Sequence, residues 1–189
     1  MFISTMTLRS MTKARYSEIN DIHFGLAFDY YSHFTSPIRR YADLTIHRII
    51  KKYLKGKLSG GEIKNLKVIL PEIAEQVSRT EKVAQEAERQ VQDIKMAEYM
   101  SERLGERYTG RVSSITSFGI FVELDNLVEG LVSYRSMEGY YEFDVDHYKA
   151  VDFETKNEFH IGDQVKIEVV GVDLNMGNID FKLVGDEDE

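Results

Sequence analysis

The period of the hydrophobic pattern changes once along this chain, near Gly105, and that change constrains the fold more than any other feature. Before it, apolar residues recur at mostly helical spacing, as in Ile38, Tyr41, Leu44, Ile46, Ile49, Ile50 and Tyr53. After it come short strand-like runs: one opening at Tyr108 with Gly110, Val112, Ser114 and Ile115, then residues 119–124, 130–132, 165–172 and 179–183. Asp125-Asn126, Gly162-Asp163 and Asn175-Met176-Gly177-Asn178 supply the turns between them. A helical half followed by five short strands predicts an α+β chain whose second part is a small barrel. Residues 140–159, acidic and aromatic, form an insert longer than a hairpin turn.

The helical half divides further. Residues 1–17 read as a helix with no cap before the first turn, as if the chain were entered inside a larger domain. Residues 18–37 read as an ordered loop. Pro37 suits the first turn of a second helix, with Ser36 as its cap, and Lys51, Lys52, Lys55 and Gly56 supply its end. Beyond Gly60-Gly61 a further helix runs to about Gln76, with Pro71 at a turn or kink. Ser78-Arg79-Thr80-Glu81 has capping-box spacing and predicts a new helix that stops before Gly105. One unbroken helix over 72–104 is the alternative.

Composition excludes several classes. The 189 residues contain no cysteine, which removes disulfide and thiolate chemistry and fits a reducing, cytoplasmic setting. No run of about 18 apolar residues exists, so no membrane span is expected. The N-terminus lacks the order of a signal peptide. Net charge is −8, unfavourable for binding nucleic acid, but it is unevenly spread. Residues 1–100 carry 16 Lys and Arg against 12 Asp and Glu, and the remainder 8 against 20. Whole-chain charge is therefore a poor guide to a local groove.

The segment richest in chemistry is HFGLAFDYYSHFTSPIRRYADLTIHR, from His23 to Arg48. It joins an aromatic, hydroxyl-bearing loop to a helix start carrying Arg39 and Arg40. A helix N-terminus offers unpaired N–H groups, two guanidinium groups add planar donors, and Thr35 and Ser36 add hydroxyls, so the set reads as a phosphate clamp. From the residues alone a surface ion pair is the commoner reading of such a pair, because Asp43 lies at i+4 from Arg39 and i+3 from Arg40. His23, His33 and His47 are spread over loop and helix with no pair at i,i+4, and structural hydrogen bonding accounts for them better than metal ligation.

That segment resembles the closing motif of the RNB catalytic domain, found in processive 3′→5′ exoribonucleases of the RNase II family. The run GLAxxxYxHFTSPIRRYxDLxxHR carries the resemblance, which extends over nearly the whole chain. It implies that Arg39 is the catalytic-site arginine, contacting the phosphate near the scissile bond, and that Arg40 supports it. By a looser alignment it places Glu88, in EAERQVQD, near the 3′-terminal nucleotide; an exposed helix carboxylate is the alternative. The family hydrolyses RNA with magnesium held by several aspartates of an earlier motif. Asp21, Asp29 and Asp43 form no such cluster, so no metal or cofactor site is expected in this chain, and magnesium belongs to the intact enzyme.

The second segment, YTGRVSSITSFGIFVELDNLVEGLVS from Tyr108 to Ser133, is similar to the S1-type RNA-binding domain, an OB fold. Phe118 and Phe121 occupy that family's aromatic positions, beside Arg111. Exposed rings stack on unpaired bases; rings pointing inward would instead fill the barrel core. Ser133 stands where the family often has His, a loss for which Tyr134 or Tyr108 compensates.

The expected architecture is therefore the mostly helical C-terminal part of an RNB catalytic domain over residues 1–104. A five-stranded antiparallel OB-fold barrel follows over 105–185, and an acidic tail over 186–189. The expected function is RNA binding within a hydrolytic 3′→5′ exoribonuclease, with single-stranded RNA as partner, no membrane, and no activity from this chain alone. A stand-alone RNA-binding protein and a module docking on ribosome-associated factors are the alternatives.

Overall fold

The computed structural model of the chain describes residue 7 and residues 10–185. These fall into two compact units, one of residues 12–87 and one that runs from Glu88 onward and includes the described residues up to Met11. The expected acidic tail, 186–189, and residues 1–6, 8 and 9 of the expected first helix lie outside the described residues.

Of the expected 1–17 helix, Thr7 and Ser10 are helical, whereas Met11 to Ser17 are not. There the Tyr16 N–H donates to Ser78 Oγ at 3.0 Å rather than to a carbonyl four residues back. The ordered loop that follows holds a 3-10 turn at Phe24–Leu26 and a bridge between His23 and Phe28. Helix α1, Tyr41–Leu54, starts later than the proline predicts. Arg40 is extended (φ −117°, ψ 117°), which separates the turn over Pro37–Arg39 from the helix. Ser36 does not cap α1; its own N–H is captured by Asp43. The C-terminus ends as expected, in a Schellman motif: Gly56, at φ 64°, donates to the Tyr53 carbonyl and Lys57 to that of Lys52, both at 2.9 Å.

Helix α2 is one element of 42 residues, Gly60–Ser101, so the break expected near Ser78 does not occur. Ser78 Oγ donates back to the Ala74 carbonyl at 2.8 Å and Thr80 Oγ1 to that of Gln76 at 3.0 Å. These hydroxyls are satisfied inside the helix and cap nothing. The chain also continues helically through Pro71.

In the second unit the last turns of α2 bury Ala97 and Met100 in the barrel core. The barrel comprises β1 (Arg107–Ile115), β2 (Gly119–Leu124), β3 (Glu129–Ser133), β7 (Gln164–Asp173) and β8 (Asn178–Leu183). It closes in the order β1-β2-β3-β8-β7. Four junctions are antiparallel, and the closing one, between β3 and β8 at Leu131 and Asp180, is parallel. Alternate residues point inward, so Val112, Ile120, Val122, Val132, Ile167, Val169 and Phe181 fill the interior. The Phe181 ring lies against Gly130, where a Cβ would approach it within 2.5 Å.

The 140–159 insert is a sheet of its own rather than a plain loop. β4 (Tyr141–Asp144), β5 (Lys149–Asp152) and β6 (Glu158–His160) form an antiparallel meander. Buried Asp152 organises it, accepting the N–H groups of Tyr140, Glu154 and Thr155 and the Thr155 hydroxyl. Acidic residues at strand ends and strands of three or four residues hide this sheet from a period-two reading.

Candidate nucleic-acid interface

Arg39 stands in the turn that leads into α1, and that turn is pinned from both sides. The Ser36 carbonyl accepts the N–H groups of Arg39 at 3.2 Å and Arg40 at 3.0 Å. The Ser36 N–H donates to Asp43 Oδ2 at 2.7 Å, and Arg40 Nη2 donates to the same oxygen at 2.9 Å. Burial alone would push the Asp43 carboxyl up. The Ser36 N–H and the Arg40 guanidinium outweigh it and hold the carboxyl below the ordinary carboxylate range. Of the two arginines open to Asp43 in the sequence, then, Arg40 takes the partnership. Arg39 is exposed, and its guanidinium makes no hydrogen bond or ion pair among the described residues.

The histidines around this turn make structural contacts. His33 Nδ1 lies 2.7 Å from the Tyr16 hydroxyl, His47 Nε2 lies 2.8 Å from the Phe34 carbonyl, and His23 Nδ1 accepts the Leu26 N–H at 3.2 Å. Burial, reinforced by Glu81, pushes the Tyr16 hydroxyl up to about 12, so it is a neutral donor at physiological pH. Among the described residues no three His, Asp or Glu side chains come together in a way that could hold a metal ion. Glu88 is exposed on α2 and makes no side-chain hydrogen bond among the described residues.

On the barrel, the outward side chains of β1 and β2 make a second surface. Phe121 faces outward on β2, in register with Ser114 of β1 and Leu131 of β3. Phe118, in the bend before β2, is 55% exposed. The two rings meet edge to face, and neither belongs to the barrel core. Arg111 is exposed on β1 opposite Glu123, which shares the outward face of β2 with Phe121. Tyr134 is elsewhere: its ring packs on the core and stacks on Tyr141 at 6.1 Å, and its hydroxyl donates to the Thr116 carbonyl at 2.9 Å. Burial pushes that hydroxyl up to about 12. Tyr108 donates to Glu106 and is half-buried.

The structure thus brings Phe118, Phe121 and Arg111 onto one surface and leaves Tyr134 outside it. Sequence reasoning passed over three neighbours on that face, Leu131 beside Phe121 and the acidic pair Glu123 and Glu129, which are in register. Their alternation with inward Val122, Gly130 and Val132 is the signal that would have found them.

Comparison with known proteins matches two segments of the chain. Residues 1–56 match the RNB domain and residues 102–183 the S1 RNA binding domain. The chain therefore joins a segment of an RNB catalytic domain to an RNA-binding OB barrel. Over nearly its whole length the chain is similar to ribonuclease R proteins. It is 45% identical over 188 residues to Ribonuclease R 1 of Lactococcus lactis, covering 99% of this chain and 23% of that protein. It is 42% identical to Ribonuclease R of Aquifex aeolicus over 183 residues, covering 95% of this chain and 25% of the relative. Among solved structures, Mycoplasma genitalium RNase R in complex with ribose methylated single-stranded RNA superposes with a TM-score of 0.88 at 32% identity. That match covers 95% of this chain and 29% of the other. The chain spans about a quarter of the length of the curated relatives it matches. Among the described residues no helix is long and apolar enough to cross a membrane.

Proposed function

We propose that this chain holds single-stranded RNA for a hydrolytic 3′→5′ exoribonuclease of which it forms part. The observation that carries the reading is the Phe118–Phe121 pair, two rings outside the core with Arg111 on the same strand face. Rings so placed stack on unpaired bases whatever their identity, and a guanidinium beside them meets the backbone phosphates. The resemblance of both segments and the RNA in the related Mycoplasma structure support it. Arg39 serves the chemistry, contacting the phosphate near the scissile bond, with Arg40 as support and Glu88 near the 3′-terminal nucleotide. Magnesium serves the intact enzyme and is held by residues outside this chain. The compartment is the cytoplasm.

The test is a magnesium-supplemented degradation assay run beside a binding titration, both on this chain with a labelled single strand. Binding without shortening is expected. Magnesium-dependent processive shortening by the chain would overturn its role as a holding segment, and absence of any binding would overturn the RNA reading. A second reading, docking on ribosome-associated factors, draws on the acidic insert, where Glu142, Asp146 and Glu154 are exposed. RNA binding that survives replacement of both Phe118 and Phe121 would favour it or another surface.

A further inference from the structure

We infer that Asp43 is a positioning residue for Arg39: it immobilises the turn that carries Arg39 and withdraws Arg40 from the phosphate. The inference rests on the reading of Arg39 as the phosphate-contacting arginine and deepens it. One oxygen, Asp43 Oδ2, holds both ends of the Ser36–Arg40 turn, through the Ser36 N–H at 2.7 Å and Arg40 Nη2 at 2.9 Å. The Ser36 carbonyl meanwhile accepts the N–H of Arg39 itself. The backbone frame of Arg39 is thus tied to the first turn of α1 by a carboxylate that is fully buried.

The same contact sorts two adjacent guanidinium groups. Left alone, Arg39 and Arg40 compete for one phosphate, and either can satisfy its charge. With Arg40 paired to a buried carboxylate, only Arg39 leaves the turn with its donors free among the described residues. Two buried atoms of the pair, Arg40 Nε and Asp43 Oδ1, have no partner among the described residues. A buried ion pair that leaves polar atoms unmatched is not explained by stability alone, and the shared Asp43 Oδ2 fixes the geometry of the turn.

The test uses the complete enzyme that carries this segment, with single-turnover cleavage and equilibrium RNA binding measured for Asp43→Ala, Asp43→Asn, Arg39→Ala and the double variant Asp43→Ala/Arg39→Ala. Asp43→Ala should lower the cleavage rate on the order of 100-fold, the loss expected when a reacting group is misplaced by about 1 Å. RNA affinity should hold or rise, because Arg40 is released toward the phosphate. Asp43→Asn, which keeps an oxygen for the Ser36 N–H, should lose less; it carries the test if the alanine variant does not fold by circular dichroism. In the Arg39→Ala background, Asp43→Ala should cost nothing further. A purely structural Asp43 would lower rate and affinity together, or multiply its loss with that of Arg39→Ala, and either result overturns the proposal while leaving Arg39 in place. Arg39→Ala cleaving at the unaltered rate overturns the reading of Arg39 and the proposal with it.

Discussion

The ring of Phe118 meets the ring of Phe121 edge to face, with centroids 6.0 Å apart and planes at 84°. Neither ring belongs to the barrel core, so removal of either leaves the core residues in place. Each stacking ring is worth about 1–3 kcal/mol by alanine substitution. Phe121→Ala in this chain should therefore weaken binding to a single-stranded oligonucleotide by about that amount, with an unchanged circular dichroism spectrum. A duplex of the same sequence should bind more weakly than the single strand, because its bases are already stacked. Equal affinity of Phe121→Ala and the parent chain would remove Phe121 from the interface.

Asp43 also makes the first unit sensitive to acid. Its carboxyl is held below the ordinary range in the folded chain, so folding favours the charged form. The stability it contributes is fully present above the unfolded carboxylate value of about 3.9 and is lost as pH falls through the lower folded value. Asp43→Asn should thus melt below the parent at neutral pH, and the gap should close at acid pH. Thermal melts at a series of pH values read this directly. A gap that stays constant into acid would mean that the charge of Asp43 contributes nothing to folding.

The barrel was legible because its strands alternate and its turns carry Gly, Asp and Asn, so all five strands appear where the pattern puts them. The insert sheet was not, because Asp144 and Asp152 sit at strand ends where turn residues are expected. Helix boundaries were misread where side chains act at a distance. Ser36 and Ser78 both have the composition of caps, but Asp43 takes the N–H of Ser36, and the Ser78 hydroxyl bonds inside α2. The competition between Arg39 and Arg40 for Asp43 was visible in the spacing. Its outcome was not, since i+3 and i+4 partners are equally near on an ideal helix, and Arg40 is extended.

Gly130 is the position where the barrel has no room for a side chain. A Cβ there would stand 2.5 Å from the Phe181 ring, and that ring is buried in the core with nowhere to retreat. Overpacking of this kind costs about 1–3 kcal/mol. Gly130→Ala should lower the melting temperature of the barrel. The paired variant Gly130→Ala/Phe181→Leu should be less impaired than the two single losses together, because the smaller side chain vacates the space. Additive losses would show that Gly130 is required for some other reason.

Arg39 provides the sharpest test of the chemistry proposed for the complete enzyme. Phosphodiester hydrolysis gathers negative charge on the non-bridging and leaving oxygens, and a fixed guanidinium stabilises that charge more in the transition state than in the bound substrate. The turn anchored by Ser36 and Asp43 supplies the fixity, and the absence of competing partners among the described residues keeps the donors available. Lysine reproduces the charge but not the two-pronged donor geometry. Arg39→Lys should accordingly lower the single-turnover rate on the order of 100-fold or more while RNA affinity changes little. Arg40→Lys should do less to the rate, since an ammonium can still reach the carboxylate of Asp43. Rapid-quench cleavage and equilibrium binding on both variants decide the matter. If Arg39→Lys cuts at the normal rate, or if only its affinity falls, Arg39 is a binding residue and the transition-state role is lost.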